Sequence, residues 1–147
     1  MTKRVSITFI GALVLSLCVQ SLPAADKAER EAFDHRLQEA NKEAKKSGMT
    51  KPAIHTVAVE TGVPESEVEA MHKKNPDYGI ASLMMACVLA DETKLTAESL
   101  IQQHKAGKSW LKIAEEHHVK SDKLTVRLDH FENALKAGEK PRDERKR

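Results

Sequence analysis

A chain of 147 residues with 24 Lys+Arg against 22 Asp+Glu, a net charge of +2, has room for one domain of ordinary size. Aromatic residues make up only 3 %, too few for base-stacking nucleic-acid modules or aromatic-lined sugar clefts. Six Gly, five Pro and two Cys argue against a turn-dense all-β chain and a disulfide-dense scaffold, and 40 % apolar with 31 % charged residues suits an all-α protein, the expected class.

The chain opens Met1-Thr2-Lys3-Arg4, runs apolar from Val5 to Val19, and continues Gln20-Ser21-Leu22-Pro23-Ala24-Ala25. A basic start, a short apolar middle and a small-residue close follow the order of a secretory signal peptide. The apolar run is shorter than the roughly 20 residues a bilayer span needs. Residues 1–25 are therefore expected to be a signal peptide, cleaved after Ala25 or a few residues earlier after Ser21. That places the mature chain in the periplasm or outside the cell, with no transmembrane segment. Leu15-Ser16-Leu17-Cys18 has the outline of a lipobox, but bulky Leu17 stands where that route wants a small residue, so lipidation through Cys18 is not expected. Export removes Lys3 and Arg4 and no acid. The mature chain then balances 22 basic against 22 acidic residues and has no overall pull toward nucleic acid or anionic membrane. Its one remaining thiol, Cys87, is expected as a buried small apolar residue.

Residues 26–48 read as an amphipathic charged helix capped by Asp26 and ended by Gly48. Phe33, Leu37, Ala40 and Ala44 make one narrow apolar stripe. With only two large side chains in that stripe, the helix is expected to dock weakly or fray, free to serve as a docking arm. Residues 49–138 read as a helical domain. Pro52 suits the first turn of a helix that Gly62 ends, and Pro64 suits the start of the next. The buried set of this pair is Ile54, Val57, Ala58, Val63, Val68 and Met71, and Asn75-Pro76-Asp77-Tyr78-Gly79 is turn chemistry. Ile80 to Ala90 is apolar on most faces and belongs at the centre of a bundle. Thr96 caps a helix that stops at Gly107. A final helix from about Asp122 to Ala137 is expected between an N-cap at Ser121 and a C-cap at Gly138, with Leu124, Leu128, Phe131 and Leu135 as its stripe. Leu83, Val88, Trp110, Ile113, Leu128 and Phe131 should share one core. Residues 139–147 are charged without an apolar side chain and are expected to form a disordered tail.

The second segment recurs 56 positions later. Ile54 matches Trp110, Val57 matches Ile113, Ala58 matches Ala114, Glu60 matches Glu116, Val63 matches Val119 and Val68 matches Leu124. An apolar residue, an Ala four on, a turn, a Val and an apolar residue five beyond it is the spacing of a helix-turn-helix. Lys108-Ser109-Trp110-Leu111-Lys112-Ile113-Ala114-Glu115-Glu116-His117-His118-Val119 resembles the Gly-x-Trp-x-x-Ile-Ala-x-x-x-x-Val tract of small, exported, uncharacterised bacterial proteins with tandem helix-turn-helix-like segments. It departs at His118, where Gly usually makes the turn, whereas Thr61-Gly62-Val63 keeps the Gly. The resemblance covers roughly residues 52–135 and implies a fold, two helix-turn-helix-like pairs around a central apolar helix, without an activity.

Nucleic-acid binding, the alternative reading, would rest on Lys120, Lys123 and Arg127. Asp122 and Asp129 dilute them, and Glu65, Glu67 and Glu69 oppose phosphate in the first pair. Among seven histidines no two sit at i and i+3 or i+4, so the weak metal candidates are the adjacent His117 and His118. No nucleophile elbow, phosphate loop or Cys-x-x-Cys pair is present, so neither catalysis nor a cofactor is expected. The expected function is that of an exported helical protein acting outside the cytoplasm as a protein-interaction or structural module, through a protein partner or self-association.

Overall fold

The computed structural model describes residues 26–138; the expected signal peptide (1–25) and charged tail (139–147) lie outside the described residues. Helices account for 78 % of it, in the order α1 (Lys27–Ala44), α2 (Thr50–Thr61), α3 (Glu65–Lys74), α4 (Ile80–Thr93), α5 (Ala97–Lys105), α6 (Trp110–Glu116) and α7 (Ser121–Gly138). No strand occurs among the described residues. Every residue from Ile80 to Leu89 in α4 is buried. Such a helix is stable only when enclosed, and α1, α2, α3, α5 and α7 all pack against it. Leu83, Val88, Trp110, Ile113, Leu128 and Phe131 lie together in the resulting core, as their spacing predicts.

The first helix corrects the expectation of weak docking. Asp26 caps it, accepting from the Glu29 N–H at 2.7 Å, and Phe33, Leu37, Ala40 and Ala44 are all buried. The small Ala40 and Ala44 let the backbone come close to its neighbours, so a stripe with two large side chains still makes a tight seam. Charged residues flanking the stripe complete the attachment. Arg30 Nη2 lies 2.9 Å from Glu115 Oε2 on α6, and Arg36 bonds both Asp129 and Glu132 on α7, the latter at 2.9 Å. With its apolar face covered by the bundle, α1 is not a free docking arm.

Asn41 of α1 also caps another helix. Its Oδ1 accepts from the Ser82 N–H at 3.3 Å and its Nδ2 donates to Ser82 Oγ at 2.9 Å. The amide thereby satisfies one of the backbone donors left open in the first turn of α4. Gly79 permits the approach, because a Cβ there would lie 2.0 Å from Asn41 Cγ.

Three end assignments need correction, the first being Gly138, which lies within α7 rather than capping it. Gly48 does not cap α1, which ends at Ala44; it makes the left-handed bend, at φ +82°, inside the turn leading to α2. Ser121 is the first residue of α7 rather than its N-cap, and its hydroxyl donates to Glu29 Oε1 at 3.2 Å.

The 56-residue repeat has a backbone counterpart. Helices α2 and α3 meet at Gly62, with φ +72°, and α6 and α7 meet at His118, with φ +58°. The two turns stand at matching positions, so His118 takes the left-handed conformation that glycine adopts in the first pair. The Gly62 N–H returns to the Ala58 carbonyl at 2.9 Å, and the Val119 N–H returns to the Ala114 carbonyl at 2.8 Å. Ile54 and Trp110, Val57 and Ile113, and Val68 and Leu124 are buried in pairs across the repeat, while Ala58 and Val63 are only half-buried.

Candidate functional site

Of the three cations on which nucleic-acid binding would rest, Lys120 lies just before α7 and Lys123 and Arg127 in its first two turns, and the latter two are already engaged. Lys123 Nζ is 2.7 Å from Glu92 Oε2 on α4, and Arg127 Nη1 is 2.8 Å from Glu60 Oε2 on α2. Glu60 also faces His130 Nδ1 at 3.1 Å. Burial pushes the Glu60 carboxyl upward, but the hydrogen bonds from Arg127 and His130 outweigh it and hold the group below the usual carboxylate range. It is therefore ionised at neutral pH and keeps Arg127 neutralised. Lys120 is exposed and stands outside these pairs. On α3, Glu65, Glu67 and Glu69 all lie in the first five residues, and Glu65 bonds His55.

These ion pairs border an open groove of about 540 Å³ formed by α2, α4 and α7. Val88 and Val126 supply its apolar floor, and Val126, 48 % exposed, is one of only two large hydrophobic residues exposed among the described residues. Four carboxylates (Glu60, Asp91, Glu92 and Asp122) face two permanent cations, Lys123 and Arg127, so the groove is net acidic. Asp91 and Asp122 are exposed on its rim. A second groove of about 500 Å³ runs between α1 and α7, where Arg36, Lys46 and Lys136 balance Glu39, Glu43 and Glu132.

The remaining candidates fall elsewhere. His117 is half-buried and His118 exposed, and no group of three or more His, Cys, Asp or Glu side chains placed to hold a metal gathers among the described residues. The role of His118 in this structure is the left-handed turn. Cys87 is buried, and burial, reinforced by the charge of Glu67, pushes its thiol up to about 11. It stays protonated at neutral pH, a poor state for nucleophilic chemistry.

One cluster is absent from the sequence reading. The His104 ring stacks on Trp110 with centroids 4.5 Å apart, and its Nδ1 lies 2.6 Å from Tyr78 Oη. Lys105 Nζ sits 5.4 Å over the Tyr78 ring and donates to Asn75 Oδ1 at 2.7 Å. Burial lowers the affinity of His104 for a proton and raises the Tyr78 hydroxyl well above its ordinary value, so both are neutral and tie the turn before α4 to α5 and α6. Burial of Trp110 was legible; that His104 would cover it was not, since nothing marks one histidine of seven as a stacking partner.

Among the described residues no helix is long and apolar enough to cross a membrane. Comparison with protein-family models, curated proteins and solved structures finds no match to this chain.

Proposed function

We propose that this protein is exported and acts outside the cytoplasm as a non-catalytic protein-interaction module, with the α2–α4–α7 groove as its contact face. One observation carries the choice of face. Lys123 and Arg127 of α7 are drawn into ion pairs with Glu92 and Glu60 beside an open, apolar-floored groove, rather than presented outward to phosphate. A DNA-binding surface needs several Lys or Arg free of acidic neighbours, because affinity comes from neutralising phosphates. A protein contact instead joins apolar area to a polar rim, the composition found here. The protonated thiol of Cys87 supports a role without covalent chemistry.

Export rests on Lys3-Arg4, the apolar run and Ala24-Ala25. Mass spectrometry of the natively expressed protein after fractionation is expected to find a mature N-terminus between Leu22 and Asp26 in the exported fraction. Intact Met1 or Thr2 in a soluble cytoplasmic pool would overturn it.

A further inference from the structure

The groove also carries information about what it accepts. Asp91 and Glu92 lie in the last turn of α4, where the carbonyl-rich end of the helix is already negative. No basic residue lies within that last turn, and the nearest cation in sequence is Lys94, the C-cap that follows it. Acids are placed there against the helix dipole, at a cost to stability. Glu92 is answered by Lys123 of α7, but Asp91 has no ion-pair partner among the described residues. Across the groove Asp122, in the first turn of α7, likewise has no ion-pair partner among the described residues. Asp122 is stabilised by the positive end of α7, whereas Asp91 is not; with four carboxylates set against Lys123 and Arg127, the lining stays net acidic over the apolar floor of Val88 and Val126.

We infer that the groove binds a cationic peptide segment of a partner protein, one that sets an apolar side chain on Val88 and Val126 between Lys or Arg residues facing Asp91 and Asp122. The inference rests on the reading of this groove as a contact face and adds the class of its occupant. An anionic surface, whether nucleic acid or acidic lipid, is repelled by the same charges. A small cation alone leaves the apolar floor uncovered, and a volume of about 540 Å³ suits several side chains. Complementary charge of this exposed kind sets specificity and association rate, and it weakens with salt.

The test uses the mature protein, isotope-labelled for NMR, and three synthetic peptides of equal length built from Lys and Leu, Lys and Ser, or Glu and Leu. The Lys/Leu peptide is expected to shift resonances of Val88, Asp91, Asp122 and Val126 saturably, the Lys/Ser peptide more weakly and the Glu/Leu peptide not at all. D91N/D122N should weaken Lys/Leu binding by about tenfold, since exposed charge pairs contribute modestly each. D91N alone should meanwhile raise the melting temperature by about 2 °C, by relieving the end of α4. D91N is therefore also titrated alone, where weaker binding with a raised melting temperature separates loss of binding from loss of fold; D122N removes an acid that favours the start of α7 and is not expected to share that rise. Binding indifferent to D91N/D122N overturns the inference. A groove that takes the Glu/Leu peptide overturns the occupant while leaving the contact face standing, and a groove that responds to no peptide overturns both. Tighter Lys/Leu binding by R145Q/K146Q/R147Q would reassign the groove to the chain's own C-terminal segment. A dimer dissolved by D91N/D122N would reassign it to a second copy.

Discussion

His118 shows how a single residue can meet a backbone demand for which it is poorly suited. Its φ of +58° matches the +72° of Gly62 at the equivalent turn, yet only Gly62 lacks the Cβ that makes this region costly. For a residue with a side chain the left-handed conformation costs roughly 1–2 kcal/mol, and glycine gives back part of the difference, about 0.4–1 kcal/mol, through its freer unfolded chain. The His118 side chain is exposed and makes no hydrogen bond or ion pair among the described residues, so its removal sacrifices little packing. His118→Gly is therefore expected to stabilise the protein by about 0.5–1 kcal/mol in urea denaturation. Gly62→Ala, where a Cβ meets no neighbour and only the backbone angle matters, should destabilise by a comparable amount. A His118→Gly variant no more stable than the native chain would show that the imidazole itself holds the turn. Gly79 makes the opposite case: its φ of −69° suits any residue, and the constraint is the Asn41 side chain occupying the space of a Cβ.

At the scale of the helix, burial followed the apolar stripes closely while attachment did not. Phe33, Leu37, Ala40 and Ala44 were identifiable as one face from their spacing, and that face is the one buried. The strength with which α1 is held could not be read the same way, because it depends on groups far away in sequence. Arg36 finds Glu132 across 96 positions, and Asn41 finds Ser82 across 41. Periodicity reports which face of a helix turns inward and says nothing of what meets it. The groove is hidden for the same reason: its residues come from α2, α4 and α7, and no local motif joins Glu60 to Arg127 or Asp91 to Asp122. The turn at Gly62 was legible, but that His118, a departure from the repeat's Gly, would take the same left-handed conformation was not. Helix α1 offers a direct measure of the corrected docking. Phe33 is 4 % exposed, and truncating a buried aromatic costs about 3–5 kcal/mol. Phe33→Ala is expected to fall in that range in equilibrium unfolding; a loss under about 1 kcal/mol would return α1 to the status of a loosely attached arm.

Over the whole molecule, charge is arranged more by pairing than by net sign. The mature chain expected after export balances its acids and bases, and the cations of α7 are distributed into contacts that join helices: Lys123 to α4, Arg127 to α2. The same two residues cannot neutralise phosphate without first giving up Glu92 and Glu60, which leaves Lys120 as the one member of the set without an ion pair among the described residues. Affinity for DNA grows with the number of phosphates neutralised, and non-specific binding at physiological salt ordinarily lies at about 10⁻⁴–10⁻⁶ M. One free lysine beside a net acidic groove belongs at or beyond the weak end of that range. Mature protein titrated into duplex DNA at physiological salt is therefore expected to show no saturable binding tighter than about 10⁻⁶ M. Glu60→Gln/Glu92→Gln, which releases Arg127 and Lys123, should strengthen whatever weak binding exists and steepen its salt dependence, because more counterions are then displaced. Submicromolar binding by the native protein, lost in Lys120→Ala/Lys123→Ala/Arg127→Ala, would show that the ion pairs open readily on contact with DNA, and would make α7 a nucleic-acid-binding helix.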